Sequence, residues 1–175
     1  KIVFVNFSGS AIALTPETKT CDAILQAWYP GQAGGTAIAN VLFGDYNPAG
    51  RLPVTFYKST NQLPDFEDYS MKGRTYRYMT EAPLFPFGHG LSYTEFEYGN
   101  FRVNRTNFTA DDDLIFEVDV KNTGERVGKE TVMLYSSDLV ASVTPDVIRL
   151  RHFDKIELQP GEMKKVVFKL KGSDL

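Results

Sequence analysis

Residues 23–56 constrain the fold of this chain more than any other part of its sequence. The apolar run at 23–29 ends at Pro30 and is typical of a buried strand. A glycine-rich turn follows, and apolar residues at helical spacing then predict a short helix that ends at Gly44. The apolar helix face consists of Ala37, Ile38, Val41 and Leu42. With a turn at 47–50 and a strand at 52–56, the stretch forms one strand–helix–strand unit of an α/β sheet.

A further strand and a short helix precede this unit. Residues 2–7 are apolar on both faces, which predicts a second strand buried in a parallel sheet. Thr15 is the expected cap of a short helix that has Pro16 at its first position. Two strands and one good helix do not close a doubly wound sheet. We therefore expect residues upstream of Lys1, or another chain, to cover the exposed apolar strands.

Residues 57–82 are polar and irregular, as in a functional loop or a linker. Within them, aromatic and basic side chains alternate over 72–78, and two interpretations are open. The side chains form either a sugar-facing rim of Tyr and Arg or, as we favour, an edge strand that packs on a neighbour. His89, between two glycines in the aromatic turn at 83–94, is a candidate general acid or ligand. A structural role in the turn is the commoner one for such a residue.

From residue 96 onward the hydrophobic period changes to two, which predicts strands joined by short turns. The predicted strands are 114–120, 131–135, 148–158 and 166–170, with turns at 122–124 and 159–162. This spacing indicates an antiparallel, immunoglobulin-like β-sandwich, which at Leu175 would still lack a closing strand. We expect Gly124 to adopt a positive φ angle in the turn at 122–124.

Composition and charge exclude several classes of function. The net charge of −3 provides no electrostatic basis for binding nucleic acid or an anionic membrane surface. No apolar run approaches the roughly 20 residues that a membrane-spanning helix needs. The single Cys21 rules out an internal disulfide framework, and two His residues and one Cys provide no metal site. The aromatic content of 13% is high and favours well-packed cores and carbohydrate-facing surfaces.

Three candidate catalytic or binding motifs are weak. The glycines at 31–35 match neither nucleotide-binding fingerprint, so a role in tight helix packing is favoured over phosphate binding. The segment 8–10 is not a nucleophile elbow. The acids at 65, 67 and 68 and at 111–113 lie in polar loops, where we expect them to be solvated and to titrate normally. A glycosidase instead needs two carboxylates about 5 Å apart for retention, with one held protonated. No cofactor is expected.

Several motifs, in order along the chain, resemble glycoside hydrolase family 3. The longest is AILQAWYPGQAGGTAIANVLFGDYNPAGRLP at 23–53, followed by GRTYRY at 73–78 and FGHGLSYT at 87–94. Shorter ones are VKNTG at 120–124, GKE at 128–130, LY at 134–135, FDKIEL at 153–158 and PGE at 160–162. The later motifs resemble the family's fibronectin type III-like C-terminal domain. The subgroup that the chain resembles is the bacterial β-glucosidases and β-xylosidases.

The resemblance implies a C-terminal fragment of an enzyme that hydrolyses terminal β-linked glucose or xylose with retention. The nucleophilic Asp, in an N-terminal barrel, and the acid/base Glu, in the α/β sandwich domain, are expected upstream of Lys1, so no residue here is assigned as catalytic. Residues 1–92 correspond to the last part of that α/β domain with its linker, and residues 93–175 to a fibronectin-like domain truncated before its last strand. The resemblance also suggests a secreted or periplasmic parent.

The partners implied are the missing barrel, the upstream α/β segment and the β-linked oligosaccharide substrate of the parent. In that arrangement, residues 57–82 would help to line the leaving-group side of the pocket. The alternative is a stand-alone fibronectin-like module for interaction or carbohydrate contact. The α/β half argues against it, and the sequence upstream of Lys1 would discriminate the two hypotheses.

Overall fold

The structure, a computed structural model, describes residues 1–140 and 146–175. The described residues divide into two units. The first unit contains residues 1–46 and 51–89 together with 139–140 and 146–147. The second contains residues 47–50, 90–138 and 148–175. Each unit is described separately below.

The first unit begins with two paired strands. Strand β1 (Val3–Asn6) and strand β2 (Ala23–Gln26) pair in parallel, as predicted, with Val3 opposite Ala23. Strand β2 is shorter than the predicted 23–29, because Trp28 adopts a positive φ of 55°, which turns the backbone out of an extended conformation. Ile2, which precedes strand β1, is 60% exposed. The apolar side chains in and beside these two strands are therefore only partly buried by the described residues.

Helix α1 (Glu17–Thr20) begins one position later than predicted. Its N-cap residue is Pro16, and no side chain caps the helix. The Thr15 hydroxyl, expected to be the cap, instead donates a hydrogen bond to the Lys58 carbonyl at 2.8 Å. A contact 43 residues away in the sequence therefore replaces the local cap.

Helix α2 (Gly34–Phe43) is the predicted helix, and Gly44 ends it with a left-handed φ of 85°. The Gly44 N–H donates to the Val41 carbonyl, as in a helix that closes through a C-terminal glycine. At the other end, a Cβ on Gly34 would lie 2.5 Å from the Cβ of Pro30. This glycine therefore allows close packing at the start of the helix.

The prediction of a continuous strand at 52–56 is wrong. Leu52 and Phe56 do bond to a second segment, with the Leu52 N–H donating to the His89 carbonyl and the Phe56 N–H to that of Phe85. Phe56 and Phe85 form only an isolated antiparallel bridge. Pro53 lies between the two bonded positions and has no N–H to donate, which is consistent with the interruption of the ladder.

The edge strand predicted at 72–78 is also wrong, because the segment contains helix α3 (Thr75–Tyr78). Gly73 has a φ of 71° and Thr75 a φ of 54°, so the backbone leaves the extended conformation just before the helix and at its first residue. The Thr75 N–H donates to the hydroxyl of Tyr57 at 2.9 Å, which holds the turn in place. The rest of the 57–82 segment is irregular apart from a 3₁₀ turn at Thr60–Gln62.

The second unit consists of two antiparallel sheets, which contain all four strands predicted after residue 96. The strands are β3 (Phe96–Val103), β4 (Asp113–Asn122), β5 (Gly128–Ser136), β6 (Arg149–Leu158) and β7 (Met163–Lys171). Strands β3, β4 and β7 form one sheet in that order, and strands β5 and β6 form the other. The two sheets contribute to one core, composed of Val120, Val132, Leu134, Leu158, Val166 and Phe168.

Candidate functional site

The loop at 64–74, within the polar segment of the first unit, is closed around one arginine. The Arg74 guanidinium donates to the carbonyl oxygens of Asp65 at 3.0 Å, Asp68 at 2.6 Å and Ser70 at 3.2 Å. The Asp68 N–H also donates to the Asp65 carbonyl, and the Arg74 N–H to that of Met71. Charge-assisted bonds of this kind are stronger than neutral ones, so Arg74 fixes the backbone path of the loop.

Two carboxylates of this loop accept hydrogen bonds from backbone N–H groups. The side chain of Asp65 accepts the Glu67 N–H at 3.1 Å, and that of Asp68 accepts the Ser70 N–H at 2.8 Å. The bond from Ser70 lowers the pKa of Asp68 below its ordinary value. The expectation of normal titration is therefore wrong for Asp68. The direction of the shift is opposite to the one that a general acid needs.

The same loop presents two large aromatic side chains to solvent. Phe66 is 93% exposed and Tyr69 is 92% exposed. Phe66 lies within the turn closed by the Asp68 N–H and the Asp65 carbonyl, and Tyr69 follows that turn directly. Arg74 bonds to both carbonyls of this turn. The sequence analysis did not single out either residue. The available signal was two aromatic side chains in an otherwise polar, irregular stretch, a pattern more typical of a binding surface than of a core.

The aromatic and basic residues at 76–78 make contacts within the first unit. Tyr76 stacks on Phe87 with ring centroids 4.1 Å apart. The Arg77 guanidinium forms an ion pair with Asp146 at 2.8 Å, which raises the pKa of Arg77 above its ordinary value. The Arg77 carbonyl also accepts the Val147 N–H. These contacts give Tyr76 and Arg77 structural partners and anchor helix α3.

His89 has the environment of a turn residue. Its ring stacks on Phe85 with centroids 5.0 Å apart, and its carbonyl accepts the Leu52 N–H. Partial burial, with a smaller contribution from the charge of Arg51, lowers the pKa of His89. Among the residues that the structure describes, no three His, Cys, Asp or Glu side chains are placed to hold a metal ion. Gly88, which has a φ of 81°, sets the turn.

The acids at 111–113 are divided between a turn and a strand. The Asp112 side chain accepts the N–H of Thr109 at 2.7 Å and pairs with Arg105. The Thr109 bond is the main reason that the pKa of Asp112 is lowered, so the prediction of normal titration is wrong here too. Asp113 begins strand β4 and forms an ion pair with Lys171 at 2.7 Å. Neither acid has the partly apolar environment of a protonated catalytic carboxyl.

The second unit contains a fully buried amide at Asn122, the first residue of the predicted turn. Its side-chain oxygen accepts bonds from the Thr94 hydroxyl at 2.7 Å and the Gly124 N–H at 3.1 Å. Its side-chain nitrogen donates to the carbonyls of Arg126 at 2.7 Å and Leu158 at 3.1 Å. The amide therefore connects strand β6 to the residues just before strand β3 and to the turn after strand β4. Its buried oxygen and nitrogen both have hydrogen-bond partners, as buried polar groups in folded proteins generally do. The sequence analysis treated Asn122 only as a turn residue.

The positive φ predicted for Gly124 is wrong. The glycines with positive φ in the described part of the chain are Gly44, Gly73, Gly88 and Gly161. Gly124 is required for space instead, because an added Cβ would collide with the Thr94 hydroxyl and lie 2.9 Å from the Glu95 nitrogen.

Comparison with protein-family models identifies two matches along the chain. The glycosyl hydrolase family 3 C-terminal domain matches residues 1–93. A fibronectin type III-like domain matches residues 130–175. In the described part of the chain, no helix has both the length and the apolar character required to cross a membrane.

Individual relatives and solved structures match almost the whole chain. A xylan 1,4-β-xylosidase of Xylanibacter ruminicola is 54% identical over 100% of this chain and 20% of its own length. A periplasmic β-glucosidase of Salmonella typhimurium is 41% identical over 95% of the chain and 23% of its own length. A β-glucosidase structure from Erythrobacter marinus superposes with a TM-score of 0.86 at 42% identity, over 98% of this chain and 23% of that one. The chain thus spans about a fifth to a quarter of the length of these relatives.

Proposed function

Because this chain belongs to glycosyl hydrolase family 3, we propose that it is a non-catalytic, C-terminal portion of a retaining β-glycosidase. The parent protein hydrolyses terminal β-linked glucose or xylose from oligosaccharides. The observation that carries this proposal is that the chain matches β-xylosidase and β-glucosidase relatives over nearly all its length while spanning only 20% and 23% of theirs. One relative is named a β-xylosidase and the other a β-glucosidase, so the names support a β-linked sugar and leave the choice between glucose and xylose open.

The two catalytic carboxylates of the parent lie, in this proposal, upstream of Lys1. The acids at 65–68 and 111–113 support it, because Asp68 and Asp112 have lowered pKa values and accept backbone hydrogen bonds. A lowered pKa is opposite to the raised pKa of the carboxyl that protonates a leaving group in this reaction class, so neither Asp68 nor Asp112 fits that role. Residues 23–56 then support the sheet that presents the acid/base Glu of the parent.

We also propose two domains, with residues 1–92 belonging to an α/β sandwich domain and residues 93–175 forming a fibronectin-like β-sandwich. The first structural unit includes residues up to 89 and the second resumes at residue 90, which supports this domain boundary. Residues 47–50 are an exception, because they group with the second unit. The core shared by the two antiparallel sheets supports the β-sandwich. An upstream α/β segment and an N-terminal barrel of the parent are the proposed partners. The exposed Ile2 and Phe7 beside strand β1 support a covering segment there.

The experiment that tests the proposed function uses the full-length gene product. The purified protein should hydrolyse aryl β-glucosides or aryl β-xylosides, and proton NMR of the first product should show the β-anomer, as retention requires. This chain expressed alone is the matched control and should leave both substrates intact. A folded full-length protein that cleaves neither substrate, or that releases the α-anomer first, would refute the proposal.

A further inference from the structure

The chain contains three copies of the acceptor pattern for asparagine-linked glycosylation, in which any residue except proline separates an asparagine from a serine or threonine. The copies are Asn6-Phe7-Ser8, Asn104-Arg105-Thr106 and Asn107-Phe108-Thr109. The second and third follow each other directly in the loop between strands β3 and β4, residues 104–112. An attached glycan is bulky and hydrophilic, so it must lie outside the folded chain. The fold therefore decides which of these asparagines can carry one.

Asn6, the last residue of strand β1, is unsuited to attachment. It is 6% exposed, and its side-chain nitrogen donates to the Ser8 hydroxyl at 2.9 Å and to the Gln26 side-chain oxygen at 2.5 Å. A bond to a sugar replaces one of the N–H groups of the amide, so one of these hydrogen bonds would be lost. The glycan would also have to displace the closely packed atoms that bury the side chain.

Asn104 lies at the surface, but its amide pairs the loop with strand β4. Its side-chain nitrogen donates to the Asp113 carbonyl at 3.1 Å, and its side-chain oxygen accepts the Ile115 N–H at 2.9 Å. These bonds continue the pairing of strands β3 and β4, which ends with Val103 opposite Phe116. Attachment of a glycan at Asn104 would therefore disturb the end of a strand ladder.

Asn107 is exposed, and its side chain forms no hydrogen bond to another described residue. The loop around it is nevertheless ordered by Asp112, which pairs with Arg105. Asp112 also accepts hydrogen bonds from the Thr109 N–H at 2.7 Å and the Thr109 hydroxyl at 3.0 Å. Because Asn107 lies between these two anchored residues in the sequence and takes no part in their bonds, a glycan on its amide would break no hydrogen bond of the described loop.

We propose that Asn107 is an asparagine-linked glycosylation site of the exported parent protein. The co-reactant is an oligosaccharide whose reducing-end sugar is linked to a polyprenyl diphosphate. The side-chain nitrogen of Asn107 forms a bond to C1 of that sugar, while the bond between C1 and the diphosphate oxygen breaks. The nitrogen gives one of its protons to a basic group of the transferase, and the polyprenyl diphosphate leaves with the electron pair of the broken bond. This modification does not depend on which glycoside the parent hydrolyses, so it stands apart from the proposed function.

The test uses the full-length parent and its single-residue variants, each purified from the native source. Mass spectrometry of proteolytic peptides with electron-transfer fragmentation identifies the residue that carries a glycan. The wild type should carry a glycan at Asn107 and none at Asn6 or Asn104. Asn107→Gln should lose the glycan completely. Thr109→Ala should lose it too, because this variant keeps the asparagine but removes the hydroxyl that the pattern requires.

Two matched variants separate recognition of the pattern from damage to the loop. Thr109→Ser keeps the required hydroxyl and should remain glycosylated at Asn107. Asn104→Gln removes the neighbouring copy of the pattern and should also leave the glycan at Asn107.

Either of two results would overturn the inference. One is an unmodified Asn107 in the wild-type parent from its native source. The other is a glycan on the same peptide that persists in Asn107→Gln, which would place the attachment at another residue.

Discussion

At the scale of single residues, the side chain of Asn122 connects segments of the second unit that are distant in sequence. It is fully buried, and its side-chain amide makes four hydrogen bonds, to Thr94, Gly124, Arg126 and Leu158. We predict that Asn122→Ala lowers the free energy of unfolding by about 2–4 kcal/mol, because it leaves buried donors and acceptors without partners. Urea unfolding of the full-length protein, followed by circular dichroism at the transition of this unit, measures the effect. Asn107→Ala, an exposed asparagine in the loop after strand β3, should change stability by less than about 0.5 kcal/mol.

A second residue-scale prediction concerns two glycines with different surroundings. Gly124→Ala should cost about 1–3 kcal/mol, since the added methyl group would overlap the Thr94 hydroxyl and approach the Glu95 nitrogen. Gly99→Ala, on strand β3, meets nothing within 4 Å and should be neutral or slightly stabilising. The thermal midpoints of the two variants provide the comparison. Equal midpoints would show that close packing does not require a glycine at 124.

The third residue-scale prediction concerns pH. Burial and the charge of Arg51 lower the pKa of His89 in the folded protein below the ordinary value of 6.5. The unfolded chain therefore binds the proton first as the pH falls, and stability decreases through about pH 6.5 until the folded pKa is passed. Between about pH 7.5 and pH 5, the thermal midpoint of the wild type should decrease more than that of the His89→Gln variant. An identical pH dependence of the two proteins would contradict the assignment.

At the scale of elements, the parallel pair and the antiparallel sheets differ in burial. Strand β2 has no buried residue, whereas strands β4 and β7 contribute Val120, Val166 and Phe168 to a buried core. For the isolated chain, we predict fast hydrogen exchange at Ala23–Gln26 and slow exchange at 114–120, because protection follows burial and cooperative packing. Mass spectrometry with peptide resolution measures both. Equal, strong protection in a demonstrated monomer would show that the first unit needs no covering segment.

At the scale of the whole molecule, this chain by itself should be inactive. In the acidic clusters of its loops, Asp68 caps a turn and Asp113 forms an ion pair with Lys171. Hydrolysis of aryl β-glucosides and β-xylosides by the purified chain should not exceed the buffer background, because retention needs a nucleophile and a neutral acid about 5 Å apart. Turnover that persists after a second purification and depends on Asp68 or Asp113 would contradict the proposed location of the catalytic pair.

The sequence by itself determined the features that arise from local pattern. Alternating apolar residues predicted strands β4 to β7 of the second unit but not strand β3. Helical spacing with a terminal glycine predicted helix α2 and its end at Gly44. The motifs in order identified the family, which the match over residues 1–93 confirmed. These features depend on neighbours within a few positions along the chain, where periodicity and backbone preference are decisive.

Only the tertiary structure decided the features that depend on residues distant in sequence. The segment at 52–56 bonds to 85–89 at two positions but forms no ladder, and Thr15 bonds to Lys58 instead of capping its helix. The four bonds of Asn122 and the collision that excludes a side chain at Gly124 both require strands brought together by folding. Periodicity cannot reveal such contacts, because a hydrogen bond or a steric limit depends on which distant atoms the folded chain places beside the residue.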